Sequence, residues 1–505
     1  MIQGAADPSA AEEYFERTLA GLSTQEIERF TRLPPGLGLR VSRLGFGSYR
    51  VSSARKSHFD ALREALLKGV NVIDVASNFS FGAAEELVAA VMSDLIALGR
   101  LKREEIVVLG KAGLIQGRSL KFVEANRPDD FRKISNLAYY SLHPDYLERQ
   151  FHADRQRLRL EKLDGYLLQN PEILLSSGAL PDESPQVRRE ILREKTTAAL
   201  NRLEDLCSRG FINFYGICSE TLHYPADHPE SLPLEDILRE TGPGFRVLQF
   251  PANLLETDYK FNRSSSGGPL AELARRERLW TMGLRPLNAR DSDGGLLRLA
   301  RLVNAPLDEG AGIIAELNRL LGALQDDEKR LLDFLGEERF QFSPRTPPLS
   351  KIFLSNRDEF VGDESLSKAL AIIQPQVQKT VNRLFLLART REEKYALEKY
   401  GHDCNQLIGV WKRYSVFLRH ERLRGLEEAL GRASPSLSGK PLAAQALLFL
   451  LAAQTPDTAL VGMRRVSYAR QLIEACRSEP PPENEQWPLN SLALDWAEKN
   501  LGKFH

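Results

Sequence analysis

The sequence predicts an α/β fold: a closed barrel of eight strand and helix units, (β/α)8, interrupted late by a large helical insertion. Three observations predict it. From residue 40 to residue 290, short apolar runs alternate with amphipathic helical stretches, and strict alternation implies parallel βαβ units. An eighth unit follows much later, with PLAAQALLFLLAAQ as helix, TALVG as strand and SYARQLIEACRS as closing helix. The glycine pattern of a doubly wound dinucleotide-binding sheet is missing, because LGFGS after the first strand has too few glycines at the wrong spacing.

In chain order, the strands are expected at Leu44 to Ser48, Val72 to Ala76, Ile106 to Lys111, Leu163 to Gln169, Phe214 to Ser219, Val247 to Phe250 and Trp280 to Leu287. Among the helices between them are HFDALREALLKG and PDYLERQFHADRQRLRL. The second opens with Pro144 at its first position, where a missing N–H costs nothing. Gly69 and Gly210 close helices through a left-handed residue.

From about Arg290 to Pro435 the alternation gives way to helical periodicity, carried by Leu296, Leu299 and Val303, then Ile313, Leu317, Leu320 and Leu324, and later Leu370, Ile373, Val377, Val381 and Leu384. The Pro-rich link Ser343 to Ser350 divides the stretch. The expected organisation is a helical extension over 1–37, a barrel over 38–289 and 436–478, an insertion over 290–435 between strand 7 and helix 7, and a tail over 479–505. An insertion there emerges at the C-terminal face of the barrel, where barrel enzymes place their sites. Within it, Gln376 to Arg432 holds twelve Lys/Arg against seven Asp/Glu, with Tyr400, Trp411, Tyr414 and Phe417 interleaved. Core aromatics with a solvated face are the expected reading, ahead of a phosphate-binding surface.

Composition narrows the classes of function. With 505 residues, of which 42% are apolar, the chain exceeds one ordinary domain. Its 68 basic and 68 acidic residues balance, which argues against nucleic acid or an anionic membrane surface as partner. Four scattered cysteines form no zinc knuckle or redox pair, and a reducing, cytoplasmic setting is expected, with no metal. The start MIQGAADPSAAEEYFERTLAG lacks the layout of a secretory signal. The longest apolar run, Ala446 to Ala453, is far short of a membrane span.

Strand ends converge at the mouth of a barrel, which collects Asp74, Lys111, Gln169 with Asn170, Ser219 and Gln249. Adjacent Asp74 and Lys111 would form an ion pair in which each keeps the other charged. Such a pair is either structural or tunes a neighbouring hydroxyl. Where that hydroxyl would be useful, in NVIDVASNFSFGAAEE, the sequence has Phe79.

These segments resemble the aldo/keto reductase superfamily of NADP(H)-dependent barrel oxidoreductases. RLGFGSYRV is similar to its first strand, NVIDVASNFSFGAAEEL to its Asp-Thr-Ala…Tyr-Gly…Glu segment, VVLGKAG to its lysine strand and LDGYLLQNPE to its Asp-x-Tyr-x-Leu-His-x-Pro strand. SRGFINFYGICSE, VLQFPANLL and TALVGMRR resemble the fifth, sixth and eighth strands. The resemblance implies hydride transfer from a nicotinamide to a carbonyl, with a tyrosine as acid, a lysine and an aspartate tuning it, and a histidine orienting the carbonyl. Asp74 and Lys111 sit at the matching positions. Phe79 stands at the tyrosine position and Gln169 at the histidine position.

Loss of a positioned acid costs about 100- to 10,000-fold. The amide of Gln169 still donates and accepts, but it cannot become a cation. Tyr49, Tyr139, Tyr140 and His143 lie on nearby loops; packing or solvent exposure is their ordinary role, and replacement of the missing acid is the sharper one. Lys111 is a second route, if burial lowered its pKa.

The resemblance also implies cofactor contacts: Gln249 near the nicotinamide carboxamide, Asn170 and Ser219 beside it, and Arg464, Arg465 and Arg470 at a helix start suited to a 2′-phosphate. Where the family has Ser-Asn, the chain reads Cys218-Ser219-Glu220, and an inward Glu220 would repel phosphate. The expectation is an NADP(H)-binding, non-catalytic or regulatory protein that meets a protein partner through 290–435. The alternative is an active NADP(H)-dependent oxidoreductase whose rebuilt site encloses a small carbonyl or hydroxyl substrate beneath the insertion.

Overall fold

In the computed structural model, residues 1–124, 131–176, 178–225, 227–262, 268–290, 296–300, 310–336, 347–359 and 363–501 are described. Eight parallel strands close into a barrel: β1 (Leu44–Gly47), β2 (Val72–Asp74), β3 (Val107–Ala112), β4 (Leu163–Gln169), β5 (Ile212–Cys218), β6 (Phe245–Pro251), β7 (Trp280–Leu284) and β8 (Thr458–Val461). Each pairs with its sequence neighbour, and β8 closes on β1 through Ala459 opposite Leu44. The alternation of apolar runs and helices therefore specified the topology.

Strand boundaries agree with expectation to within a few residues, and the largest difference has a local cause. The seventh strand stops at Leu284 instead of Leu287, because Arg285 adopts φ 55°, a left-handed conformation that ends an extended run. Pro144 opens the helix Pro144–Leu158 as its first residue. Gly69 and Gly210 have φ 100° and 70°, the left-handed geometry expected after a helix.

The chain divides into two compact units. The first is Met1–Arg290, Leu296–Leu299 and Leu430–Leu494; the second takes in the described residues of Ala300–Ala429 and Asp495–His505. In the first unit, the N-terminal segment is tied to the barrel. The helix Pro8–Thr18 buries Tyr14 and Phe15, and Asp164 accepts hydrogen bonds from the Ala6 and Val108 amides at 2.5 and 2.7 Å. Asp164 also meets Arg103 at 2.9 Å, both side chains being buried.

The second unit contains helices Gly310–Leu335, Leu349–Asn356 and Asp363–Leu387 and most of Arg391–Ala433. Its core includes Leu317, Leu324, Phe353, Leu384, Tyr400 and Trp411, so the interleaved aromatics pack inward as the ordinary reading expected. One expectation fails. Leu296 and Leu299 do not begin a helix: Leu296–Arg298 pairs antiparallel with Asn288–Arg290, and the Leu299 amide bonds the Leu287 carbonyl. The periodicity there was too short to distinguish a helix from a hairpin. Val303 and residues 343–346 of the Pro-rich link lie outside the described residues. Among the described residues, no helix is long and apolar enough to cross a membrane.

Candidate active site at the strand ends

Alternation along a parallel strand turns every second side chain into the barrel. Leu109, Leu167, Phe214, Cys218, Val247, Trp280 and Met282 share one interior cluster, and Lys111, Gln169 and Gln249 continue the same parity. Gln169, Cys218, Gln249 and Met282 are successive register partners across β4 to β7, which puts them in one layer at the carboxyl ends of the strands.

Asp74 ends β2 in that layer and is nearly fully buried. Lys111 Nζ approaches its two oxygens at 2.9 and 3.0 Å. From the far side of the barrel, Gln249 Nε2 donates to Asp74 Oδ1 at 2.9 Å. The ammonium also lies 3.8 Å from Cys218 Sγ. Burial by itself would depress the lysine pKa, but the Asp74 carboxylate and the Cys218 thiol outweigh it and hold Lys111 above its ordinary value. This removes the route in which a lowered lysine acts as acid or nucleophile. Burial pushes the Cys218 thiol up to about 12, which leaves it protonated and inert.

Phe79 opens a short 3-10 turn, Phe79–Gly82, in which Ser80 and Phe81 have φ 47° and 56°. Its ring is buried, with Lys111 Nζ 5.4 Å from the ring centroid. The resemblance placed a phenol there, and the structure places a phenyl face against the lysine, a cation–π contact. Tyr49 packs edge-on against Phe79 at 5.3 Å, while most of its own surface is exposed. The other loop groups are engaged structurally. Tyr140 is buried and donates its phenol proton to the Gln169 carbonyl at 2.9 Å, and His143 Nδ1 caps a helix by accepting from the Asp145 amide. Tyr139 is half-buried in the same small sheet.

Gln169 is 7% exposed and Gln249 is fully buried, and the Oε1 atom of each has no hydrogen-bond partner. For Gln249 the orientation is set by Asp74, since only the amide nitrogen can face a carboxylate. Asn170, at φ 52°, is committed elsewhere: its Nδ2 donates to Glu172 Oε1 at 2.9 Å. The Glu220 amide donates to the same oxygen at 2.8 Å, and the buried Ser219 hydroxyl accepts from the Thr221 amide at 3.1 Å. Burial pushes the Glu172 carboxyl up to about 7.

Glu220 does not present a free charge. Arg285 bridges it to Glu256, and Arg290 Nη1 lies 3.7 Å from it. Arg464 is half-buried, and exposed Arg465 precedes the helix Val466–Arg477, whose first turn has no side-chain cap. Arg470 is placed differently: it pairs with Glu64 at 2.7 Å, on the outer face where that helix packs against Lys56–Leu67.

Sequence reasoning missed Cys218, Glu172 and Arg285. Strict two-residue alternation from Phe214 would have found Cys218 in place of Ser219. Among the described residues, no group of three His, Cys, Asp or Glu is arranged to hold a metal ion.

Residues 43–262 match the model of the aldo/keto reductase family. The NADH-specific methylglyoxal reductase of Escherichia coli (strain K12) is 28% identical over 138 residues, covering 26% of this chain and 38% of that protein. The aldo-keto reductase YhdN of Bacillus subtilis (strain 168) is 26% identical over 117 residues, covering 22% and 34%. The matched segments thus span little more than a third of either relative. Among solved structures, the glycerol dehydrogenase AKR11B4 from Gluconobacter oxydans aligns with TM-score 0.48 at 16% identity, covering 94% of this chain and 97% of that one. An aldo-keto reductase from Klebsiella pneumoniae in complex with NADPH aligns with TM-score 0.43 at 14% identity, covering 91% and 95%.

Proposed function

Because this chain belongs to the aldo/keto reductase superfamily, we propose that it binds a reduced nicotinamide dinucleotide at the mouth of its barrel without performing the superfamily's tyrosine-mediated proton transfer. The observation that carries this reading is the contact of Lys111 with Phe79. The buried Asp74 and Lys111 pair that would tune a phenol meets a phenyl ring with no proton to give. Gln169 makes the same loss a second time, since a neutral amide replaces an imidazole. A non-catalytic binding or regulatory role follows, with the helical unit as the surface for a protein partner.

The residues present fit the dinucleotide. Gln249 Oε1 is a buried acceptor with no partner, suited to the amine of a carboxamide. Arg464, Arg465 and the uncapped start of Val466–Arg477 suit a phosphate, because guanidinium forks and free backbone amides converge there. When bound, the dinucleotide supplies hydride chemistry. Glu220, paired with Arg285, does not meet it as a free charge.

Titrating NADPH and NADH by fluorescence and thermal shift tests the reading. Saturation at 100 times the dissociation constant should add about 2.7 kcal/mol of stability. The protein should not oxidise either nucleotide with methylglyoxal, glyceraldehyde or aromatic aldehydes. Ordinary turnover would overturn the non-catalytic half of the proposal, and absence of binding the other half. Tyr49, beside Phe79, supports the second reading, an active reductase with a rebuilt site; turnover abolished by Tyr49→Phe would establish it.

A further inference from the structure

Glu172 gathers what the strand ends on one side of the mouth have to offer. Its Oε1 accepts from Asn170 Nδ2 at 2.9 Å and from the Glu220 amide at 2.8 Å, and the buried Ser219 hydroxyl favours its charged form. Its other oxygen, Oε2, is buried with no partner. A carboxylate in this setting is held on one side and stranded on the other, and an unpartnered buried anionic oxygen is costly. A proton on Oε2 removes that cost and leaves the two donors to Oε1 in place.

The surroundings supply little counter-charge. Cys218 and Tyr140 lie within electrostatic reach and are neutral in their raised-pKa forms. Glu220, on the loop after β5, is taken up by Arg285 and Arg290. Buried His223 on the same loop has its pKa pushed down to about 4 by burial, so it is neutral. On the helix Pro185–Ser208, which packs against the turn carrying Glu172, Arg188 is spent on the Leu175 and Leu180 carbonyls. Burial accordingly leaves the carboxyl near half-protonation at neutral pH, at about 7.

We propose that Glu172 is a positioning residue for the nucleotide: it fixes the Asn170 side chain and the Glu220 backbone amide at the mouth, and takes up a proton when the reduced dinucleotide binds. This rests on the binding site proposed above. A reduced dinucleotide brings two phosphate charges and a neutral ring to the mouth, and added negative charge there shifts a half-protonated carboxyl toward the acid. Binding and proton uptake are then linked, so affinity falls as the pH rises.

The test is a pair of NADPH titrations, of the full chain and of Glu172→Gln, by calorimetry in two buffers of different ionisation enthalpy. Wild type is expected to take up a fraction of a proton, with affinity weakening roughly three- to ten-fold between about pH 6 and about pH 8. Glu172→Gln should bind with the low-pH affinity throughout and lack that uptake; the difference between the two proteins cancels titration of the 2′-phosphate. Binding with no difference in uptake overturns the inference alone, whereas no binding at any pH overturns the inference and the nucleotide site together. If Glu172→Gln does not fold, wild-type uptake is decisive when NADH, which has no 2′-phosphate, replaces NADPH: uptake upholds the inference and its absence overturns it.

Discussion

The ammonium of Lys111 sits 5.4 Å from the ring centroid of Phe79 and 2.9 Å from an Asp74 oxygen, so a buried cation is shared between a carboxylate and an aromatic face. A phenol at the same place would find its pKa lowered by that cation. Phe79→Tyr combined with Gln169→His should therefore raise carbonyl reductase turnover at least about 100-fold over wild type, the scale of one positioned acid. NADPH oxidation with methylglyoxal measures it. No gain in a folded variant that binds NADPH would mean that the mouth has lost more than its acid.

Breaking the pair exposes its cost. Lys111→Met leaves Asp74 buried and charged with Gln249 as its remaining partner, and should cost about 3 to 5 kcal/mol of unfolding free energy. Adding Asp74→Asn should recover a large part of that loss. Urea unfolding of both variants checks the cycle; equal loss in the two would show that the charge was not the source of the destabilisation.

Gln249 has one free acceptor and one committed donor. Gln249→Leu should weaken NADPH binding by roughly ten-fold, equivalent to about 1.4 kcal/mol for one hydrogen bond to a buried group. Unchanged affinity would place the carboxamide elsewhere.

The arginines separate the two nucleotides. Arg464→Ser with Arg465→Ser should weaken NADPH about ten-fold or more and leave NADH within about two-fold, because only NADPH carries the 2′-phosphate that a guanidinium grips. Arg470→Ser should change neither, its partner being Glu64. Equal weakening of both nucleotides would mean that the arginines steer the whole dinucleotide instead.

Glu172 also gives a stability signature without ligand. Its carboxyl is raised from 4.5 to about 7, so the folded protein holds a proton that the unfolded chain releases at lower pH. The stabilisation is present in full below the unfolded value and is lost as pH rises through about 7, amounting to about 3 kcal/mol. Glu172→Gln should remove this slope, so the difference in urea midpoint between wild type and variant should shrink as the pH falls. Parallel curves would show that the carboxyl titrates normally.

The sequence by itself determined the barrel, its late eighth unit, the helical insertion and the positions of Asp74, Lys111, Phe79 and Gln169. Each is a local property: apolar runs set the strands, parity aims the side chains, and the end of a strand marks the mouth. It misread Leu296 and Leu299, where three apolar residues fit two periods. Only the tertiary structure decided what these residues touch. Closing the sheet brings Gln249 to Asp74 across 175 positions and Cys218 to Lys111 across 107, turns Arg470 out to Glu64, and commits Asn170 and the Glu220 amide to Glu172. Periodicity says which way a side chain points; curvature and register of the closed sheet decide what it meets, and so whether its charge is shared, neutralised or left without a partner.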